Sequence, residues 1–316
     1  MSDPALILHH YAGSPFSEKV RLVLGYKGLA WRSVTVPVIL PKPDVLALTG
    51  GYRRTPFLQI GADIYCDTAL MCQRIDRLAP TPTLYPREAG GTAALIAQWA
   101  DTDLFWAAAP YTMQPAGIAT VFAGVPPEVI KAFGADRMAM SAGVRRAPLA
   151  DATAALTSYL LWLEQMLADG RDFLCGGLPS IADFAVVHCL WFIRRAGPLA
   201  AIMAPHERLA AWYERVRAFG HGQSTAMSSE EAIALAAAAN RHAEVEVMPG
   251  LGFEPGQALT VTPLDYAFDP VAGELVGLTN DSVTLRRRDE RAGIVHVHFP
   301  RIGYALRKAE QESKQA

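Results

Sequence analysis

Only four of the 316 residues are cysteines, Cys66, Cys72, Cys175 and Cys189, and none stands in a CxxC pair or at zinc-finger spacing. That excludes a disulfide framework or a cysteine-built metal site as the organising device, and the thiols read as small buried hydrophobes. Net charge is scarce too: 29 Lys and Arg against 31 Asp and Glu leave a formal −2. There is no basic surplus to recruit nucleic acid or an anionic membrane. No apolar run approaches the roughly 20 residues of a membrane span, and Met1-Ser-Asp-Pro4 carries no basic segment ahead of its short apolar run. The expectation is a cytoplasmic protein without nucleic-acid or membrane partners.

What is present is apolar content, 51% hydrophobic against 19% charged, over a length that suits two or three domains. The most informative stretch is Tyr11-Ala-Gly-Ser14-Pro15-Phe16-Ser17-Glu-Lys-Val20-Arg21. Ala5–Leu8 before it is of strand length, and Phe16, Val20, Val23 and Leu24 after it recur at helical spacing. Ser14 is a candidate N-cap and Pro15 suits the first helical position, so a helix is predicted from Pro15 to about Tyr26, closed at Lys27-Gly28. Unpaired N–H groups and the helix dipole make such a start an anion site, and a thiolate is one such anion. The plainer reading of Ser14 is a cap and nothing more.

Downstream, Trp31–Val36 alternates as a strand, while residues 37–51 hold Pro37, Pro41, Pro43 and the Gly50-Gly51 pair, too broken for a long element. Thr55–Ile60 and Ile64–Cys66 flank Gly61-Ala62-Asp63 as a hairpin. A proline at the start of a strand fits a turn, and a cis Thr55–Pro56 bond would face the Thr55 backbone outward beside Ser14. Asp67-Thr68 then precedes an apolar-periodic helix through Leu70, Met71, Ile75 and Leu78, either as a capping pair or as a ligand-holding acid and hydroxyl.

The Ser14-Pro15-Phe16-Ser17-x-Lys19-Val20-Arg21 turn, the Lys27-Gly28-Leu29-x-Trp31 stretch, Thr55-Pro56-x-Leu58 and Asp67-Thr68 occur in an order that resembles the thioredoxin-like domain of cytosolic glutathione transferases. The resemblance implies glutathione as co-substrate, with Ser14 hydrogen-bonded to its sulfur and Ser17 and Tyr11 as fallback donors. It implies glutathione contacts from Phe16, from the Thr55 backbone before a cis Pro56, and from Asp67 and Thr68 at the γ-glutamyl end. The glycyl-carboxylate partner stays open among Lys42, Arg53 and Arg54. No cysteine occupies position 14, which argues against mixed-disulfide chemistry. Thr68 replaces the more usual serine and adds a methyl near the ligand.

The same resemblance gives the architecture: an α/β thioredoxin-like glutathione-binding domain at residues 1–82 and an all-α domain at residues 88–225. In the latter, Trp99 and Trp106 lie seven apart, Ser180-Ile-Ala-Asp183 is a capping box serving folding, and His188 is a core histidine. Beyond these, Ser228-Ser-Glu-Glu231 caps a linking helix, residues 226–243, and short β-patterned runs at residues 244–310 predict a small all-β module, SH3-like or a similar barrel. His296 and His298 share a strand face there but lack a third ligand, so no metal is expected. The expected function is a glutathione transferase, a homodimer, acting on a small hydrophobic electrophile, with isomerase or dehalogenase variants within reach of the same thiolate. The alternative is a non-catalytic glutathione-transferase-like scaffold whose β module recruits a partner. The module is expected to be separable after about residue 243, or else to cover the active-site mouth through Phe253, Tyr266 or Phe268.

Overall fold

The computed structural model describes residues 5–309. The buried strand β1 (Ile7–His10) runs into a turn closed by the Ser14 N–H on the Tyr11 carbonyl at 3.2 Å, and α1 (Pro15–Tyr26) begins there with Ser14 as N-cap. β2 (Ala30–Thr35) follows. In the proline-rich stretch, Pro43 at a helix start permits a seven-residue α2 (Pro43–Thr49), ended by Gly50 at φ 78°. The hairpin β3 (Phe57–Ile60) and β4 (Asp63–Cys66) leads into α3 (Thr68–Leu78), and the Thr55–Pro56 bond is cis.

Helices dominate the next section: α4 (Gly90–Trp99), α5 (Phe105–Thr112), α6 (Pro115–Val121), α7 (Pro127–Met140), α8 (Leu149–Met166), α9 (Ile181–Arg194) and α10 (Glu207–Arg217). A π-helical stretch, Ala100–Leu104, joins α4 to α5. The Ser180/Asp183 capping box is formed, and Asp183 also accepts from the Leu174 N–H and the Trp212 indole, which accounts for a buried carboxylate in a folding role.

Residues 226–243 are less regular than a single linking helix. A short strand, β5 (Gln223–Ala226), pairs with β2, and α11 (Ser229–Ala238) starts at the expected Ser228/Glu231 box but stops before His242. α11 packs on α2, β2 and β9 (Gly293–Pro300). The strand-rich region is present as β6 (Ala258–Pro263), β7 (Val271–Leu278), β8 (Ser282–Asp289), β9 and β10 (Tyr304–Lys308).

These strands do not stand apart. β9 lies parallel to β4, with Asp63 opposite His296 and Tyr65 opposite His298, so one ten-stranded sheet runs β10-β6-β7-β8-β9-β4-β3-β1-β2-β5. Alternation along its strands supplies two cores. Leu8, Leu58 and Tyr65 face α1, α3 and the helical section, where Phe184 and Trp212 are buried. Ile7, Phe57 and Ile64 face the other way into a core shared with Ile233 of α11 and Val261, Leu275, Leu285, Val297 and Phe299 of the β region. The module and the thioredoxin-like unit thus share a sheet and a core, which weighs against the expected separable appendage.

Candidate functional site

The site begins at the start of α1. Ser14 is buried; its Oγ accepts the Ser17 N–H at 3.2 Å and lies 3.5 Å from the Thr55 carbonyl, to which it donates. A hydroxyl is thus held between a helix N-terminus and the chain leading into β3. Ser17 is also buried, but its Oγ has no protein partner. Tyr11 is half-buried at the preceding turn; burial pushes its phenol up, against the pull of Arg137. Phe16 packs with its ring tilted against both Phe105 and His188, each centroid 4.7 Å away, which fixes the first turn of α1 on the helical section.

At the second helix start, Asp67 has φ 73° and caps α3 by accepting the Ala69 N–H at 2.9 Å. Its other oxygen accepts from the Tyr304 hydroxyl at 3.1 Å. Burial pushes the Asp67 carboxyl above its ordinary value, with the Ala69 N–H opposing. Thr68 accepts from Lys19 Nζ at 3.2 Å. Lys19, fully buried, is also bonded to Asp101 Oδ2 at 2.5 Å, and the other oxygen of Asp101 meets His188 Nε2 at 3.0 Å. Burial would raise the Asp101 carboxyl, but Lys19 and His188 outweigh it and hold it low. His188 is thus a core histidine with its partner. This Thr68–Lys19–Asp101–His188 chain ties α3 and α1 to the π-helical stretch and α9. Lys19 stood in the recognised turn, but Asp101 carried no local signal.

Of the three cationic candidates, Arg53 is paired with Asp136 at 3.4 Å and Asp269 at 3.5 Å, and the other two differ in engagement. Lys42 is buried, donating to the Arg53 carbonyl at 3.1 Å and to Thr55 Oγ1 at 3.4 Å; burial, then Arg137, brings its ammonium down to about 8. Arg54 is held by the β6–β7 connection: it donates to Asp265 Oδ1 at 2.6 Å and to the Tyr266 carbonyl, and lies over the Tyr266 ring. Of the three aromatics named for a covering role, Tyr266 alone reaches this region. Its ring meets Trp106 at 5.5 Å and its hydroxyl meets Arg137 and Met140 of α7. Phe253 instead packs on the second core, and Phe268 is exposed. The β region therefore reaches the start of α3 through Tyr304 and the surroundings of Arg54 through Tyr266.

Comparison with known proteins agrees with this arrangement. The family description "Glutathione S-transferase, N-terminal domain" matches residues 8–83, and "Glutathione S-transferase, C-terminal domain" matches residues 142–215. No curated protein sequence matches the chain significantly. Among solved structures, a GST-like protein from Pseudomonas syringae is 40% identical, with a TM-score of 0.81, over 97% of this chain and 100% of that one. A glutathione S-transferase from Methylobacterium radiotolerans, solved in complex with glutathione sulfonate, is 20% identical with a TM-score of 0.50 over 71% of this chain and 97% of that one. One from Rhodospirillum rubrum is also 20% identical, with a TM-score of 0.51 over 67% and 87%. The last two leave about 30% of this chain uncovered, whereas the first, at 97%, spans the β region as well. With Ser14 at a capped helix start beside Thr55, both family descriptions matched, and a 40% identical relative over nearly its whole length, the protein belongs to the glutathione S-transferase family.

Proposed function

We propose that this protein is a glutathione transferase in which the Ser14 hydroxyl donates a hydrogen bond to the glutathione sulfur and the start of α1 stabilises the thiolate. The observation that carries this reading is the Ser14 hydroxyl itself, buried at a helix N-terminus and 3.5 Å from the Thr55 carbonyl. A thiol of pKa about 8.5 is about 3% ionised at pH 7, and lowering it by about two units gives roughly three-quarters, which requires ~2.7 kcal/mol. A hydrogen bond to a charged group, worth about 1.5–3 kcal/mol, together with a helix-terminus contribution, is enough.

In this reading the Thr55 backbone meets the cysteinyl unit, Phe16 and Pro56 shape its surroundings, and Asp67 and Thr68 hold the γ-glutamyl end. Lys42 is preferred to Arg54 for the glycyl carboxylate, because Arg54 is already paired with Asp265. The M. radiotolerans complex with glutathione sulfonate supports the choice of ligand class. Phe105, Trp106 and Tyr266, adjacent through ring contacts, suit a small apolar electrophile beside the sulfur. A cytoplasmic homodimer completes the reading.

The test is calorimetric titration with glutathione, followed by the ultraviolet absorbance of the bound thiolate against pH. Saturable binding with a thiol pKa well below that of free glutathione is expected. Absence of binding sinks the reading, and binding without turnover of any generic electrophile moves the protein to the scaffold class.

A further inference from the structure

The parallel pairing of β4 with β9 assembles a cluster that the transferase chemistry does not use. Asp63 on β4, His242 on the coil after α11 and His296 on β9 bring one ligand atom each within 4.8 Å of one another. Three separate segments contribute, so the partners that His296 lacks on its own strand come from elsewhere in the chain. The Nδ1 atoms of both His242 and His296 are buried and have no hydrogen-bond partner. A buried imidazole nitrogen left unpaired costs free energy unless something occupies it. The two rings stack at 3.9 Å, and His296 Nδ1 lies 3.9 Å from Asp63 Oδ1.

The carboxylate is already oriented. His298 donates from Nε2 to Asp63 Oδ1 at 2.8 Å while its Nδ1 accepts from Thr284 Oγ1 at 2.9 Å, which fixes its tautomer. The Ala243 N–H donates to Asp63 Oδ2 at 2.8 Å and so anchors the coil that carries His242. Hydrogen bonds of this kind to a ligating carboxylate are what set its direction and basicity at metal centres.

We propose that Asp63, His242 and His296 bind one divalent transition-metal ion of the zinc type, with His298 as a positioning residue for Asp63. Two imidazoles and one carboxylate suit zinc and its neighbours, not magnesium or calcium, and three protein ligands leave a fourth position to water. Bonds of about 2.0 Å require ligand atoms only about 3.3 Å apart. The ion therefore draws the cluster inward, and His242, on coil, is the member that moves. Joining β4 to β9 and to the segment after α11, the ion fastens the β region onto the thioredoxin-like unit.

The experiment uses full-length, untagged protein stripped with a chelator and then titrated with Zn2+ or Co2+. One equivalent is expected to bind, Co2+ should give visible d–d absorption of a four- or five-coordinate site, and Zn2+ but not Mg2+ should raise the unfolding midpoint. His242→Asn and His296→Gln should each weaken uptake by tenfold or more, and His298→Gln by about tenfold. His242→Asn changes a partly buried coil residue, so its cooperative unfolding without metal serves as the fold control. No stoichiometric uptake by the wild-type protein, or uptake unchanged in His242→Asn and His296→Gln, overturns the proposal.

Discussion

The hydroxyl of Tyr304 donates to Asp67 Oδ2 at 3.1 Å, setting a side chain of β10 directly on the N-cap of α3. The residue nominated for the γ-glutamyl end of glutathione is thus held from both sides, by the backbone of its own helix and by the most C-terminal strand of the sheet.

Tyr304→Phe removes the donor from a buried carboxylate. Loss of a hydrogen bond to a charged group costs about 1.5–3 kcal/mol, so the urea midpoint should fall accordingly. With burial already pushing the Asp67 carboxyl up, the variant should raise it further. An unchanged midpoint would mean that Asp67 is satisfied without Tyr304.

Asp67→Asn tests the ligand role. If the carboxylate pairs with a substrate ammonium remote from sulfur, glutathione affinity should drop by tenfold or more, while the pKa of whatever thiol still binds stays put. Calorimetry showing equal affinity removes Asp67 from the binding set.

Ser14→Ala should do the reverse. The pKa of the bound thiol should rise by about one to two units and turnover at pH 7 should fall roughly tenfold, with glutathione affinity changed only several-fold. Identical thiol titrations in the two proteins would transfer the role to Ser17 or Tyr11. Ser17 is the first of these to test, since its hydroxyl is buried and without a protein partner.

What the sequence made legible was local. Ser14-Pro15 announces a capped helix, Gly61-Ala62 a hairpin and Asp67-Thr68 a second capped helix, because each signal lies within a few residues of its consequence. The parallel β4–β9 pairing joins residues more than 230 positions apart, Asp63 with His296, and parallel pairing carries no turn signal. Hence the Tyr304–Asp67 hydrogen bond, the capture of Arg54 by Asp265 and the Asp63–His242–His296 cluster were invisible, although His296 and His298 were correctly placed on one strand. The short α2 was hidden by its prolines, of which Pro43 starts the helix instead of breaking it.

Glu18 gives a pH prediction. Burial opposes its charge, but the hydrogen bond from His221 and the Arg21 guanidinium outweigh this and hold it at about 2, from an ordinary 4.5. A carboxyl depressed on folding adds stability above its unfolded value and loses it as pH falls, here between about 4.5 and 2. The contribution at pH 7 is about 3 kcal/mol. Glu18→Gln should therefore lower stability at pH 7 and flatten the decline in that acid window. Denaturant titrations at pH 7, 4 and 3 showing parallel curves for both proteins would refute it.

Ending the chain after residue 243 should unfold more than the β region. Without β9, the strand β4 becomes an edge with unpaired backbone groups, and Asp63 loses the His298 donor. Ile7, Val34, Phe57 and Ile64 keep neighbours from α2 and α11 but lose Val261, Leu275, Leu285, Val297 and Phe299 from the same core. Each large apolar side chain uncovered costs about 1.5–3 kcal/mol, so several together exceed the ~5–15 kcal/mol that holds a typical domain. The truncated protein should therefore be recovered as aggregates, or with a much lower and broadened melting transition. The first core, around Phe184 and Trp212, belongs to the retained part, so tryptophan fluorescence there should persist longer than near-ultraviolet signals from Tyr52 and Phe57. A truncated protein that melts cooperatively at the full-length temperature would show that the shared core contributes little, and that the β region is an attachment after all.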